Sequence, residues 1–180
     1  YLYYAPAGPD SINRLSRFTL TDGLLDKGSE KIMLEVPVFR GCCHSGGSLE
    51  FDSKGNLFIS LGDDTTPFES DNYNPIDERA GRPGNVDAQK TSGNSNDLRG
   101  SILRITPQPD GTYTIPEGNL FPPGTPNTRP EIYVKGNRNP FRIAVDQRNG
   151  NLFWGEVGPD ASKDSLKRGP KGHDEFNLAT

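Results

Sequence analysis

The chain has 180 residues, enough for one domain with a substantial core. Twenty Lys and Arg against 24 Asp and Glu leave a net charge near -4, which argues against the basic face that nucleic-acid phosphates demand. No stretch approaches the ~20 apolar residues of a membrane span, and two cysteines cannot staple a disulfide scaffold.

Glycine (21) and proline (16) far exceed the roughly 12% of average usage, and aromatic residues are scattered among them. That mixture points to many short strands. Almost no segment carries the i, i+3, i+4 apolar pattern of an amphipathic helix. Strands are predicted, in chain order, over residues 1–4, 14–19, 48–51, 56–61, 101–106, 112–115, 131–134, 141–145, 151–156 and 175–178. Turn sequences such as DSKGN, QPDG and QRNGN separate them, with Gly supplying the positive φ of tight turns. The fold class expected is all-β.

The chain also resembles itself. LEFDSKGNLFISLGDD (49–64) matches IAVDQRNGNLFWGEVGPD (143–160), offset by 94 residues at the first Asp and 96 at the closing glycines. LSRFT (15–19) echoes ILRIT (102–106). Propeller blades run to about 40–50 residues, so these offsets fit two blades, or one blade with a long loop. A β-sandwich is the alternative, but it gives no reason for the repeat. Residues 64–98 form a long irregular loop rich in Asp, Asn, Gly, Pro and Ser, either functional or a solvated excursion. A propeller needs at least four blades, and this chain supplies two or three. The expectation is therefore one propeller domain over 1–180, as a piece of a longer polypeptide. Nothing in the chain reads as an N-terminal signal, though one preceding Tyr1 would lie outside it.

Residues 41–64, GCCHSGGSLEFDSKGNLFISLGDD, hold one of only two histidines. His44 lies where a strand begins and Asp63 where the next one ends, so an antiparallel hairpin brings them to the same end of the sheet. A carboxylate that fixes the tautomer of an imidazole makes it a better base. A structural histidine at a strand end is the plainer alternative.

The stretch from His44 to Leu49, followed by Leu61-Gly62-Asp63, resembles the active-site hairpin of the soluble PQQ-dependent sugar dehydrogenases, the glucose/sorbosone dehydrogenase family. NSNDLRGSILRIT (94–106), KGNRNPFRIAVD (135–146), GEVGPDA (155–161) and DEFNLAT (174–180) follow in the family's order. Asn137 stands where the family usually has His, and Cys43 where soluble glucose dehydrogenases have an acidic residue.

The resemblance implies a six-bladed β-propeller and oxidation of an aldose at its anomeric carbon to a lactone. Hydride would pass to a Ca²⁺-bound PQQ quinone and then to an external electron acceptor, in the periplasm or outside the cell. His44 would be the general base and Asp63 its partner. Arg138 would pair with quinone or carboxylate oxygens of PQQ, with Asn139 beside it as a hydrogen-bonding neighbour. The carbonyls of Gly158 and Pro159 would ligate Ca²⁺, and Glu175 matches a carboxylate assigned to a second calcium. Arg138, Gly158-Pro159, Asp174 and Glu175 also have plain readings, as turn and edge-strand residues, and His173 reads as a surface residue. Cys42 and Cys43 are either reduced thiols filling a strand start or a vicinal disulfide flat enough to stack on the quinone, which makes Cys43 a candidate cofactor contact. Two rival functions remain open: a non-catalytic propeller binding carbohydrate or protein, and a Ca²⁺-dependent lactonase-type hydrolase.

Overall fold

A computed structural model describes residues 1–68, 76–166 and 169–180. Eleven strands occur among them. Strands β1 (Leu2–Tyr4), β2 (Ile12–Thr21) and β3 (Leu24–Pro37) form one antiparallel sheet. Strands β4 (Leu49–Phe51), β5 (Leu57–Leu61), β6 (Ser101–Pro107) and β7 (Tyr113–Thr114) form a second, in which β8 (Ile132–Lys135) also pairs with β6. Strands β9 (Pro140–Val145), β10 (Leu152–Glu156) and β11 (Glu175–Ala179) form the third.

The second sheet lies between the other two. Leu57, Ile59, Leu61, Leu103 and Ile105 pack on Leu15, Leu34 and Val36 of the first sheet. Phe58 and Ile102 point the other way and pack on Ile143, Val145, Leu152 and Trp154. All five residues of β5 are buried, because a strand covered on both faces leaves no polar side. Small antiparallel sheets stacked face to face are the blades of a β-propeller, as the repeat predicted.

The repeat itself is visible in the turns. The backbone N–H of Asp52 donates to the Asn56 carbonyl, and that of Asp146 to the Asn151 carbonyl. Each aspartate accepts from the backbone N–H two residues on, at Lys54 (2.9 Å) and Arg148 (3.0 Å). Gly55 and Gly150 take φ of 82° and 80°, which a side chain would oppose. The two hairpins meet directly: the Gln147 amide donates to the Phe51 carbonyl at 2.6 Å.

Ten strands follow the sequence expectation; β3 is additional. Its charged run and Gly28 hide the pattern, since only Leu34 and Val36 along its 14 residues are buried. The Asp22-Gly23 pair that turns β2 into β3, with φ of 52° and 76°, is the hairpin signal that the sequence held.

The long segment after Asp64 is not merely a solvated excursion. Asp77, Val86, Asp87, Thr91 and Leu98 are buried, and 3₁₀ turns cover Gly84–Val86 and Ala88–Lys90. The Lys135 ammonium ties its end to the central sheet, donating to the carbonyls of Thr91 (3.0 Å), Asp97 (2.8 Å) and Arg99 (2.9 Å) and to the Ser101 hydroxyl (3.2 Å). Residues 69–75 of that loop lie outside the described residues. Among the described residues, no helix is long and apolar enough to cross a membrane.

Candidate active site

The chain from Val38 to Ser48 carries His44 over the end of β5. His44 has φ +54°, an unusual conformation for a residue with a Cβ, and close packing holds it. A Cβ on Gly62 would collide with the His44 carbonyl, and one on Gly46 would come within 2.7 Å of the Ser60 carbonyl. Only glycines allow the two segments to approach this closely. The Gly47 N–H donates to the Ser60 carbonyl at 2.9 Å, and the Asp64 N–H donates to the His44 carbonyl at 3.3 Å.

This packing sets His44 against Asp63. The His44 Nδ1 lies 2.8 Å from Asp63 Oδ1, and both side chains are almost fully buried. Thr65 fixes the proton positions. Its N–H donates to Asp63 Oδ1 at 2.9 Å, and its hydroxyl reaches Oδ1 and Oδ2 at 2.9 and 2.8 Å. A carboxylate only accepts, so Nδ1 carries the proton and Nε2 is left as the basic nitrogen. Among the described residues no group bonds Nε2.

Asp64 anchors the same corner. It accepts from the Phe39 N–H (2.7 Å) and pairs with Arg99 (3.0 Å). Burial pushes its carboxyl above the ordinary range despite those partners.

The third sheet contributes the facing wall. The Asp63 N–H donates to the Arg138 carbonyl at 2.8 Å, linking the end of β5 to the segment before β9. Arg138 Nη1 donates to the Val157 carbonyl at 2.9 Å. Glu156, at the end of β10, accepts from the backbone N–H groups of Arg138 (2.6 Å) and Asn139 (2.7 Å) through Oε1. Its Oε2 accepts from the Trp154 indole N–H at 3.2 Å. Burial raises the Glu156 carboxyl above its ordinary value, the three donors oppose that, and the nearby Asp63 carboxylate adds to the rise.

A cleft of about 430 Å³ opens here, with Asp63, Arg138, Gly158, Pro159, His173 and Glu175 among its lining residues. Five of the eight sequence candidates thus line one cleft: Asp63, Arg138, Gly158, Pro159 and Glu175. His44 joins them through Asp63, and Asn139 through Glu156. Cys43 does not; it lines a separate cleft with Val38, Phe39 and Arg40. The sulfurs of Cys42 and Cys43 are paired with each other, the second of the two sequence readings.

Asp174 accepts from the Gly158 N–H at 2.9 Å, which fixes the carbonyl-bearing turn. Gly158 and Gly172 are packed so tightly against the His173 and Pro159 carbonyls that a Cβ on either would collide. His173 is exposed but lines the cleft. Sequence reasoning missed Thr65 and Glu156 as site residues. The Asp-x-Thr spacing, which favours a side chain capping the backbone two residues on, could have revealed the first.

Comparisons with known proteins bear on family and fold. The family model described as Glucose / Sorbosone dehydrogenase matches residues 1–180. The aldose sugar dehydrogenase YliI of Escherichia coli (strain K12) is 31% identical over 147 residues, 82% of this chain and 29% of that protein. The HIPL2 protein of Arabidopsis thaliana is 30% identical over 128 residues, 64% of this chain and 16% of that protein. A solved glucose dehydrogenase superposes with a TM-score of 0.63 at 25% identity, over 97% of this chain and 44% of that one. The soluble aldose sugar dehydrogenase of Escherichia coli in its apo form superposes with a TM-score of 0.61 at 26% identity, over 92% and 37%. The chain therefore spans less than half the length of these relatives and forms part of their propeller. On its sequence and on its fold, it belongs to the glucose/sorbosone dehydrogenase family.

Proposed function

We propose that this chain carries the base-bearing part of a PQQ- and Ca²⁺-dependent aldose dehydrogenase. The observation that carries the reading is the buried His44–Asp63 pair at 2.8 Å, beside a cleft lined by Arg138 and the Gly158-Pro159 turn. The names of the relatives, aldose sugar dehydrogenase and glucose dehydrogenase, support the same substrate class.

The residues present fit the cofactor. Asn137 Nδ2 and Asn139 Oδ1 are buried without protein partners, on either side of Arg138, and buried polar atoms of this kind await a ligand or water. The planar guanidinium of Arg138 suits quinone or carboxylate oxygens. For Ca²⁺, the donor set is hard oxygen. Among the described residues, the Gly158 carbonyl and the Glu175 carboxylate have no protein partner. The Pro159 carbonyl already accepts from the Ala161 N–H at 2.8 Å, leaving one lone pair.

When bound, the Ca²⁺-polarised quinone supplies the hydride acceptor. The protein's own part is proton chemistry and orientation. His44 Nε2 takes the proton of the sugar's anomeric hydroxyl, and Asp63 balances the imidazolium that forms. Thr65 holds Asp63 so that its charge faces Nδ1. Arg138 and Asn139 hold the cofactor against the base, and Asp174 fixes the turn that presents the Gly158 carbonyl. The paired sulfurs of Cys42 and Cys43 fit an exported protein in an oxidising compartment, and an external acceptor would reoxidise the cofactor.

The test is reconstitution of the full-length protein with PQQ and Ca²⁺, followed by aldose-dependent dye reduction. His44→Ala should cut turnover by about 10²–10⁴-fold, the usual worth of a general base, while the cofactor's absorbance change on binding persists. Near-wild-type turnover in His44→Ala would overturn the assignment. Lactone hydrolysis without PQQ would replace the dehydrogenase by a hydrolase, and no absorbance change and no turnover would favour a binding module.

A further inference from the structure

We infer that Glu156 is a positioning residue that locks the Arg138-Asn139 backbone in place and so sets the register between the cationic wall and the base. The inference rests on the dehydrogenase reading for its kinetic arm only.

The local fold explains why a side chain has this task. Strand β10 pairs with β9 from Leu152↔Val145 to Gly155↔Arg142, and then the register shifts so that Glu156 faces Pro140. A bulge at that point re-aims the side chain that follows it. Beyond Pro140, which has no N–H of its own, the Val157 N–H still donates to the Asn139 carbonyl at 3.1 Å, while the amides of Arg138 and Asn139 turn to a side chain. Both end on one oxygen, Glu156 Oε1, at 2.6 and 2.7 Å. Hydrogen bonds to a charged acceptor are the strong class.

The other face of the same residue leads to the base. The Arg138 carbonyl accepts from the Asp63 N–H at 2.8 Å, and Asp63 holds His44 at 2.8 Å. Arg138 is thus gripped at its N–H by Glu156, at its carbonyl by Asp63 and at its guanidinium by the Val157 carbonyl. Removing Glu156 frees the first grip and leaves two amides unpaired. The guanidinium then loses its fixed distance from His44 without either side chain being altered. Misplacement of about 1 Å far from the reacting atoms is enough to cost ~10²-fold in rate.

The experiment compares Glu156→Ala, Glu156→Gln and Glu156→Asp in the full-length protein. Gln keeps an oxygen where Oε1 sits and is the rescue variant; Asp keeps the charge but is too short to reach. The first measurement, on protein without cofactor, is amide hydrogen exchange at Arg138 and Asn139. Protection should fall at least 10-fold in the Ala and Asp variants and stay within about 3-fold of wild type in Gln. The second is aldose turnover with PQQ and Ca²⁺: kcat should fall by ~10² in Ala and Asp, with KM changed less than about 3-fold, and recover most of the way in Gln. Unchanged protection in both Ala and Asp overturns the inference. So does lost protection with unchanged kcat, which would make Glu156 merely structural. If the Ala variant does not fold, the Asp and Gln pair carries the same comparison. If wild type shows no turnover, the dehydrogenase reading fails, while the exchange measurement still decides the backbone lock.

Discussion

Replacing Asp63 by Asn isolates the charge of the pair from its geometry. Oδ1 of Asp63 accepts from His44 and from the Thr65 N–H, while among the described residues Oδ2 accepts only from the Thr65 hydroxyl. An asparagine can therefore keep its oxygen at the Oδ1 position and place its NH₂ at Oδ2. The Thr65 hydroxyl then turns round and accepts, because a hydroxyl both donates and accepts. The histidine tautomer survives and only the counter-charge disappears. Two unit charges about 4 Å apart at an effective dielectric of ~20 attract by about 4 kcal/mol. With the proton roughly half transferred in the transition state, about 2 kcal/mol of that is lost from the barrier. At 1.36 kcal/mol per decade this corresponds to about 30-fold in kcat. The assay is single-turnover reduction of the bound cofactor by aldose, so that release steps do not mask the chemistry. A loss equal to that of His44→Ala would show that the tautomer was not preserved. A loss under about 3-fold would show that the carboxylate's charge plays no part, and either result refutes the reasoning.

Three further outcomes follow from other parts of the molecule. Gly62→Ala should destabilise the protein by about 1–3 kcal/mol, the usual cost of overpacking, because its Cβ collides with the His44 carbonyl; urea unfolding measures this, and an unchanged midpoint would contradict the packing. Lys135→Met should lose about 2–4 kcal/mol, since several carbonyls and Ser101 lose a charged donor, with the largest gain in amide exchange falling within residues 91–101. Glu131 is buried, which pushes its carboxyl up, but donors from Arg129 and Tyr113 outweigh that and hold it below the usual carboxylate range. Its contribution is therefore present above the unfolded value near 4.3 and is lost as pH falls through the lower folded value. Glu131→Gln should cost about 1–2 kcal/mol at pH 7, allowing for solvent screening of the partly exposed Arg129, and the gap from wild type should close in urea titrations taken progressively below pH 4.

How much of this was legible depended on whether a residue acts directly. The His44–Asp63 pair could be read because hairpin geometry brings a strand's start and the next strand's end together, and the structure closes that pair at 2.8 Å. The double hairpin could be read because Asp52 and Asp146 head the same turn chemistry. Thr65 was readable only through the Asp-x-Thr spacing, and Glu156 not at all, since it acts through the backbone amides of Arg138 and Asn139 and leaves no spacing rule in the sequence. Cys43 is adjacent to His44 along the chain, yet it lines a neighbouring cleft, because adjacency in sequence does not fix the direction of a side chain. Strand β3 escaped because its first ten residues are not buried, so the apolar alternation at Leu34 and Val36 is confined to its last few positions.

Trp154 stands with one edge in the apolar layer between the second and third sheets and its indole N–H on Glu156. His44 and Asp63 come from one sheet and the Arg138 wall from the next, so the thickness of that layer is a dimension of the candidate site. Phe58, Ile102 and Ile143 lie in that layer, and their volumes set how far apart the two walls stand. On the proposed dehydrogenase reading, adaptation to a larger or smaller sugar therefore has a route that never alters a polar residue: exchange of one buried hydrocarbon for another, with the walls moving as rigid plates. In a library selected for new substrates, variants at these interior positions would be found alongside those lining the cleft.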